Sequence, residues 1–264
     1  HFYDEPLRLP GRFVFYLGET MRIGIIGRGT LGGALQRGFE RNPQVREIDS
    51  TTRASALRNC AVAAGSDIVV VCVKPRDAAD VCTQIAPVLR EDQILVSAVA
   101  AVETGSLRDW TANRARIVRV MPNTPARVSS AMTVLARARE SNEEALEQTR
   151  GLFDTFGRTL VLDESLMDAV TAISGCGPAF IFVVIEALID AAIALGIPYE
   201  QARVLVAQTV LGSGRLVLET QTHPGALKHE VTTPGGRTIR GLLELEDGKL
   251  RATLMKAALA AGGR

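Results

Sequence analysis

The chain has 264 residues, of which 47% are hydrophobic and 22% charged, and its formal net charge is +1. That length holds one large domain or two ordinary ones, and the composition excludes a disordered or collagen-like chain. A near-neutral balance gives no electrostatic reason to expect nucleic acid or an anionic membrane as partner, and four scattered cysteines with three histidines argue against a metal site.

Residues 1–20 lack a basic segment followed by a long apolar core, so they read as an extension of unknown origin and not as a signal peptide. From Met21 strands and helices alternate. MRIGIIG (21–27) is a β-branched run ending in glycine, and LGGALQRGFE (31–40) has helical spacing. VREIDS (45–50) predicts a short strand and ASALRNCAV (54–62) a helical patch. SDIVVVCVKP (66–75) is the clearest strand, with six apolar residues in a row, as expected for a strand covered on both faces. The pattern continues through the helix 77–90, the strand 93–100, the helix 105–113 and the strand 115–122, and closes with strands at 131–138 and 158–164 around the helix 141–153. Alternation of this kind predicts a doubly wound α/β sheet of Rossmann type over 21–163.

After Asp163 the strand signals stop. PAFIFVVIEALIDAAIAL (178–195), YEQARVLVAQTVLGSGRLVLE (199–219) and LRATLMKAALAA (250–261) read as helices, separated by breaks at GIP, at THPG and at VTTPGGRTIRGL (231–242). The first long helix carries Glu186 and Asp190 and stops short of transmembrane length, about 20 apolar residues. It is apolar almost all round and needs partners on every side. Residues 164–264 are therefore expected to form an all-helical dimerisation domain, with Glu186 and Asp190 facing the interface. Cys60, Cys72, Cys82 and Cys176 read as free thiols of a cytoplasmic protein.

GIIGRGTLGGAL places Gly27, Gly29 and Gly32 in G-x-G-x-x-G register, directly after a strand and opening a helix. The first glycine allows a tight turn, the second lets backbone approach a pyrophosphate, and the third permits close helix–strand packing. Together with Arg28, Thr30 and Leu31 they form the expected dinucleotide turn, whose helix start offers free N–H groups to phosphate. Asp49 stands near the position where NAD readers carry an acid. Ser50 and Arg53 follow, and an arginine with hydroxyls suits a 2′-phosphate, so the cofactor expected is NADPH, with NADH the alternative.

Three blocks carry a resemblance: VMPNTPA (120–126), SGCGPAF (174–180) and TTPGGRTIRGL (232–242). In order and spacing they are similar to the pyrroline-5-carboxylate reductases, and VKP (73–75), EALIDAAIALGIP, AQTVLGSGRL, HPGALK and LEDGKLRATL extend the match from Met21 to Ala260. The resemblance implies reduction of the cyclic imine L-1-pyrroline-5-carboxylate to L-proline with NADPH or NADH, the last step of proline biosynthesis. It also implies a homodimer with an interlocked helical domain, assembling further into rings.

It implies roles as well. Thr238 contacts the ring nitrogen, orienting the imine and relaying a proton; a hydroxyl is too weak an acid to act unassisted. Thr233 is a second polar contact. Gly235 and Gly236 admit the substrate carboxylate, and Arg237 and Thr238 open a helix with free amides. A plain helix-breaking turn with threonine caps is the alternative reading of this stretch. Gly175 and Cys176 form the other wall, with Cys176 and Phe180 where the family usually has serine and tyrosine. Val73, Lys74 and Pro75 run along the cofactor, Asn123 lies beside the nicotinamide, and Asn59 matches a position near the adenosine.

The chain departs from the family pattern at Val99 and Ala101, in a run that usually ends in alanine-glycine, and at Ser129–Ser130, where glycines are usual. These positions keep open a catalytically weak NADP-binding paralog or a reductase of a related cyclic imine. A β-hydroxyacid dehydrogenase would need a lysine on the long helix, and none occurs from Pro178 to Leu195.

Overall fold

The computed structural model describes residues 20–263, so the expected extension falls outside the described residues except for Thr20. The chain divides into two compact units, one running to Gly175 and the other from Cys176.

Seven strands make the sheet of the first unit: β1 (Met21–Ile26), β2 (Val45–Thr51), β3 (Ile68–Val71), β4 (Ile94–Ser97), β5 (Arg116–Met121), β6 (Ala131–Arg137) and β7 (Gly157–Asp163). Their order is β2-β1-β3-β4-β5-β6-β7, and all neighbours run parallel except β5 and β6. The helices between them are α1 (Thr30–Phe39), α2 (Asn59–Gly65), α3 (Pro75–Ile85), α4 (Thr104–Trp110) and α5 (Glu143–Asp154). β3, expected to be covered on both faces, is buried at all four residues. Alternate side chains enter two cores. Ile23, Ile25, Val70, Val96 and Val118 pack on one face with Leu35, Phe39, Phe153 and Phe156, while Ile26, Val69, Val71, Leu95 and Ile117 pack on the other with Ile85 and Leu107. Edge-to-face rings of Phe39 against Phe153 and Phe156, with centroids 5.3 and 5.4 Å apart, join α1 to the end of α5.

Because β3 follows β1 on the side away from β2, the chain reverses direction between β1 and β3. Ligands of open parallel sheets bind at such a switch point, outside the carboxyl ends of the strands. The sequence pattern differs from the structure in detail where prolines and turns cut helices. The expected helix 54–62 is a 3₁₀ turn (Arg53–Arg58) followed by α2, and the helix expected over 77–90 begins earlier, at Pro75, and gives way after Ile85 to a 3₁₀ turn containing Pro87.

Beyond β7, α6 (Met167–Val170) leads through a π-turn at Thr171–Gly175 to α7 (Gly177–Ala194). The helical run Glu164–Ala194 is long and apolar enough to cross a membrane by length and composition, and little of it is buried. This corrects the sequence reading, which took Pro178 as the start of the segment and missed the upstream turns. The second unit continues with α8 (Tyr199–Thr220), α9 (Pro224–Glu230), α10 (Arg237–Asp247) and α11 (Leu250–Ala261). THPG, expected as a break, begins α9: Pro224 sits in its first turn and His223 Nδ1 accepts the Gly225 N–H at 3.0 Å. A small core of Ile189, Ala202 and Val206 joins α7 to α8, while Phe182 and Val183 remain 61% and 65% exposed. Apolar residues this exposed at the middle of a helix mark an association surface.

Candidate active site

The glycine-rich turn is built by contacts that exclude side chains. Gly27 follows β1 with φ +96°, and a Cβ there would lie 2.9 Å from the Cys72 backbone and from a Val73 methyl. The Gly27 and Arg28 N–H groups both donate to the Thr51 carbonyl, at 3.1 and 2.7 Å, which fastens the turn to the end of β2. A Cβ on Gly32 would meet the Gly27 carbonyl oxygen at 2.6 Å, so only glycine lets α1 start this close to the turn. Around Gly29 nothing among the described residues, apart from the adjoining backbone, lies within 4 Å of such a Cβ. Gly29 is the N-cap of α1 and brings no side-chain cap, leaving first-turn N–H groups for an anion. Arg28 and Thr30 are exposed beside it and Leu31 is half-buried.

The far wall of the switch point is the turn from β3 into α3. Val73 touches the position of the Gly27 Cβ, Lys74 is an extended and exposed N-cap that makes no side-chain cap bond, and Pro75 opens α3. Cys72 sits in the same turn. Burial pushes its thiol up to about 12, and that of Cys82 up to about 11, so neither is a nucleophile near neutral pH.

At β2 the structure corrects the reading of Asp49. Asp49 pairs in register with Gly24, two residues before the strand ends at Thr51, and its carboxylate accepts from Arg58 at 2.7 Å. The carboxyl end of β2 holds Thr51, Thr52 and Arg53 instead, with no acid. Arg53 is exposed and Ser50 half-buried. Asn59 is 2% exposed and internally bonded: its Oδ1 accepts from the Thr51 hydroxyl at 2.7 Å and its Nδ2 donates to Gln84 at 2.9 Å. Its contribution is therefore to brace the end of β2.

The end of β5 carries a residue that the sequence reading missed. Arg119 is 2% exposed in an apolar strand, and its guanidinium meets Glu164 Oε1 at 3.2 Å. The same oxygen accepts the Thr104 N–H at 2.7 Å and the Thr104 hydroxyl at 2.8 Å, so Glu164 also closes the start of α4. An arginine inside RIVRV was the available signal, because a buried charge has to be paired. Asn123, expected beside the nicotinamide, stands just beyond β5 with both ends of its carboxamide bonded inside the protein, to Ser174 and to Met132, so neither end is left for the cofactor. Gly175 stands near Met121, whose sulfur would be 3.8 Å from an added Cβ.

The departures at Ala101 and Ser129 also become legible. Both are left-handed, with φ of 58° and 55°, which is backbone that glycine adopts without strain. The loops after β4 and β5 thus keep a glycine-like path without glycine. Ala101→Gly should raise stability by about 0.5–1 kcal/mol, read as the midpoint of chemical unfolding. Ser129→Gly should gain less, because the Ser129 hydroxyl accepts a hydrogen bond from Arg41 that glycine would lose.

In the second unit, TTPGGRT turns once and starts a helix. Gly235 has φ +68°, the Gly236 N–H donates to the Thr233 carbonyl at 3.0 Å, and a Cβ on Gly236 would lie 2.3 Å from the Thr233 hydroxyl oxygen. Gly236 is the N-cap of α10 and supplies no side-chain acceptor, and the amides of Arg237 and Thr238 have no acceptor among the described residues. Arg237 and Thr238 are exposed, and the Thr238 hydroxyl has no hydrogen-bond partner among the described residues. Helix-start amides beside a guanidinium and a hydroxyl are an arrangement that can receive an anion. Cys176 caps α7 with backbone only.

Comparison with known proteins bears on both units. Residues 164–264 match the model of the pyrroline-5-carboxylate reductase dimerisation family, and residues 22–101 match that of the coenzyme F420-dependent NADP oxidoreductases. The chain is 38% identical to a pyrroline-5-carboxylate reductase of Arabidopsis thaliana, covering 93% of this chain and 95% of that one. It is 36% identical to the corresponding protein of Methanosarcina acetivorans, covering 93% and 97%. The crystal structure of a Plasmodium falciparum pyrroline carboxylate reductase with NADP bound superposes with a TM-score of 0.83 at 31% identity, covering 93% of this chain and 97% of that one.

Proposed function

The chain belongs to the pyrroline-5-carboxylate reductase family, and we propose that it reduces L-1-pyrroline-5-carboxylate to L-proline with NADPH, the last step of proline biosynthesis. The observation that carries this reading is the uncapped start of α10. A dinucleotide turn alone serves many reactions, whereas backbone amides, Arg237 and a free Thr238 hydroxyl together answer a small ring bearing a carboxylate and a C=N bond.

When bound, NADPH supplies the hydride that reduces the imine carbon. The open space beside Gly29, above a turn held tight by Gly27 and Gly32, fits a pyrophosphate, with the amides of Thr30, Leu31 and Gly32 as donors. Thr52 and Arg53 stand at the end of β2 for the 2′-phosphate, with Ser50 nearby, while Val73, Lys74 and Pro75 line the opposite wall. In the substrate, a protonated nitrogen makes the ring carbon a better acceptor, and the proton ends on the amine of proline. Thr238 holds that nitrogen and relays its proton, Thr233 is a second polar contact, and the turn through Gly235 and Gly236 holds the carboxylate. Gly175 and Cys176 shape the pocket, the thiol filling the space of a hydroxyl.

In this reading a second copy covers the apolar surface of α7 and α8, and dimers assemble further into rings. The reaction runs in the cytoplasm, where the four free cysteines stay reduced, with neither nucleic acid nor membrane as partner. Native mass spectrometry reads the subunit number.

The deciding experiment supplies purified protein with NADPH and L-1-pyrroline-5-carboxylate and identifies the product by mass spectrometry. Formation of L-proline with equimolar oxidation of NADPH is expected, and NADPH binding without turnover would sink the proposal. Cofactor preference is tested separately. Arg53→Ala should weaken NADPH about 10-fold, about 1.4 kcal/mol, and leave NADH nearly unchanged. Equal losses for both cofactors would remove Arg53 from the phosphate site.

A further inference from the structure

The side chain of Asn123 is turned into the first unit. Its Oδ1 accepts the Met132 N–H at 3.0 Å, and because a backbone amide only donates, this contact fixes which end of the carboxamide is oxygen. The Nδ2 group therefore points the other way. There it lies 3.3 Å from the Ser174 carbonyl oxygen and 3.4 Å from the Ser174 hydroxyl.

Ser174 belongs to the π-turn Thr171–Gly175, and turns of this kind concentrate at functional sites. Its carbonyl has a specific difficulty. In a continuing α-helix it would receive the N–H of residue 178, but residue 178 is proline and has none. A π-turn would pass it to Ala179, whose N–H donates to the Cys176 carbonyl at 3.0 Å. Pro178 is well placed to start α7, where its missing N–H costs that helix nothing. The cost falls on Ser174 upstream, and the Asn123 amide is the donor that meets it.

We infer that Asn123 is a positioning residue: its amide replaces the N–H that Pro178 lacks and so fixes the path of Ser174, Gly175 and Cys176. The hydrogen bond stands on geometry alone. Its catalytic consequence rests on the reading above, in which Gly175 and Cys176 shape the substrate pocket.

The test is a double-mutant cycle on the full-length protein with Asn123→Ala, Pro178→Ala and the pair. Each variant is measured for kcat, for KM of the imine, for NADPH affinity by fluorescence titration, and for its unfolding midpoint. Asn123→Ala should lower kcat about 10-fold through misplacement of the wall, with NADPH affinity held within about twofold. Asn123→Asp keeps the acceptor for Met132 but turns the donor into a charged acceptor facing the Ser174 carbonyl, so it should lower kcat at least as much as Asn123→Ala, and it carries the cycle if the alanine variant does not fold. Pro178→Ala restores an N–H at residue 178. In its background the Asn123 substitution should cost clearly less, in both kcat and midpoint. Strict additivity in both quantities would overturn the inference, as would an Asn123 variant that weakens NADPH as much as it lowers kcat. If the wild-type protein makes no proline, the proposed function fails, while coupling in the unfolding midpoint still decides the Asn123 bond.

Discussion

Thr238→Ala is expected to lower turnover of pyrroline-5-carboxylate roughly 100-fold, about 2.7 kcal/mol of transition-state stabilisation, while leaving NADPH binding intact. The residue stands second in α10, after an N-cap that offers no side-chain acceptor. A threonine at a helix start normally earns its place by capping, yet this hydroxyl bonds to nothing among the described residues. Its removal should therefore move the unfolding free energy by no more than about 0.5 kcal/mol, as for other exposed sites. Loss of activity without loss of stability is the signature of a group reserved for a ligand. Thr238→Ser keeps the hydroxyl and should retain most of the activity, whereas Thr238→Val keeps the shape and should not. The measurements are kcat and KM for the imine beside a titration with NADPH. Unchanged kinetics in Thr238→Ala would remove the contact with the ring nitrogen.

Much of this architecture was legible because it is periodic. Continuous apolar runs such as Ile68–Val71 announce a parallel sheet, and the glycines at 27, 29 and 32 announce a turn whose crowding is set by backbone. What escaped depended on register and on partners distant in sequence. Asp49 looked close to the ribose position when residues were counted, but pairing with Gly24 puts it upstream and Arg58 holds its carboxylate. Arg119 and Glu164 are 45 residues apart, and no local pattern joins them. The segment 164–177 hid its helical character because α6 is only one turn long and a π-turn follows it. Ala101 and Ser129 read as departures from a glycine pattern, and only φ reveals that the backbone path was kept.

The glycine-rich turn permits a sharper separation of folding from binding. Gly27→Ala should abolish measurable NADPH binding and lower stability by about 2–5 kcal/mol, combining left-handed strain with overpacking. The strain follows from φ +96°, and the overpacking from a Cβ 2.9 Å from the Cys72 carbonyl, which is backbone of the adjoining turn and unable to swing aside. Yielding would displace the turn from Thr51 or β1 from β3, and either movement opens the switch point. Gly29→Ala should differ. Among the described residues nothing beyond the adjoining backbone lies within 4 Å of its added methyl, so folding should be unaffected within about 0.5 kcal/mol. The methyl would instead occupy space reserved for the pyrophosphate, and NADPH should bind about 10–100-fold more weakly, losing about 1.4–2.7 kcal/mol. Thermal unfolding with and without NADPH distinguishes the two variants in one experiment. Gly27→Ala lowers the midpoint and loses the shift given by cofactor, and Gly29→Ala keeps the midpoint and loses most of the shift. A Gly29→Ala protein with the full shift would mean that the space above Gly29 holds no phosphate, and the cofactor would have to enter the sheet elsewhere than between β1 and β3.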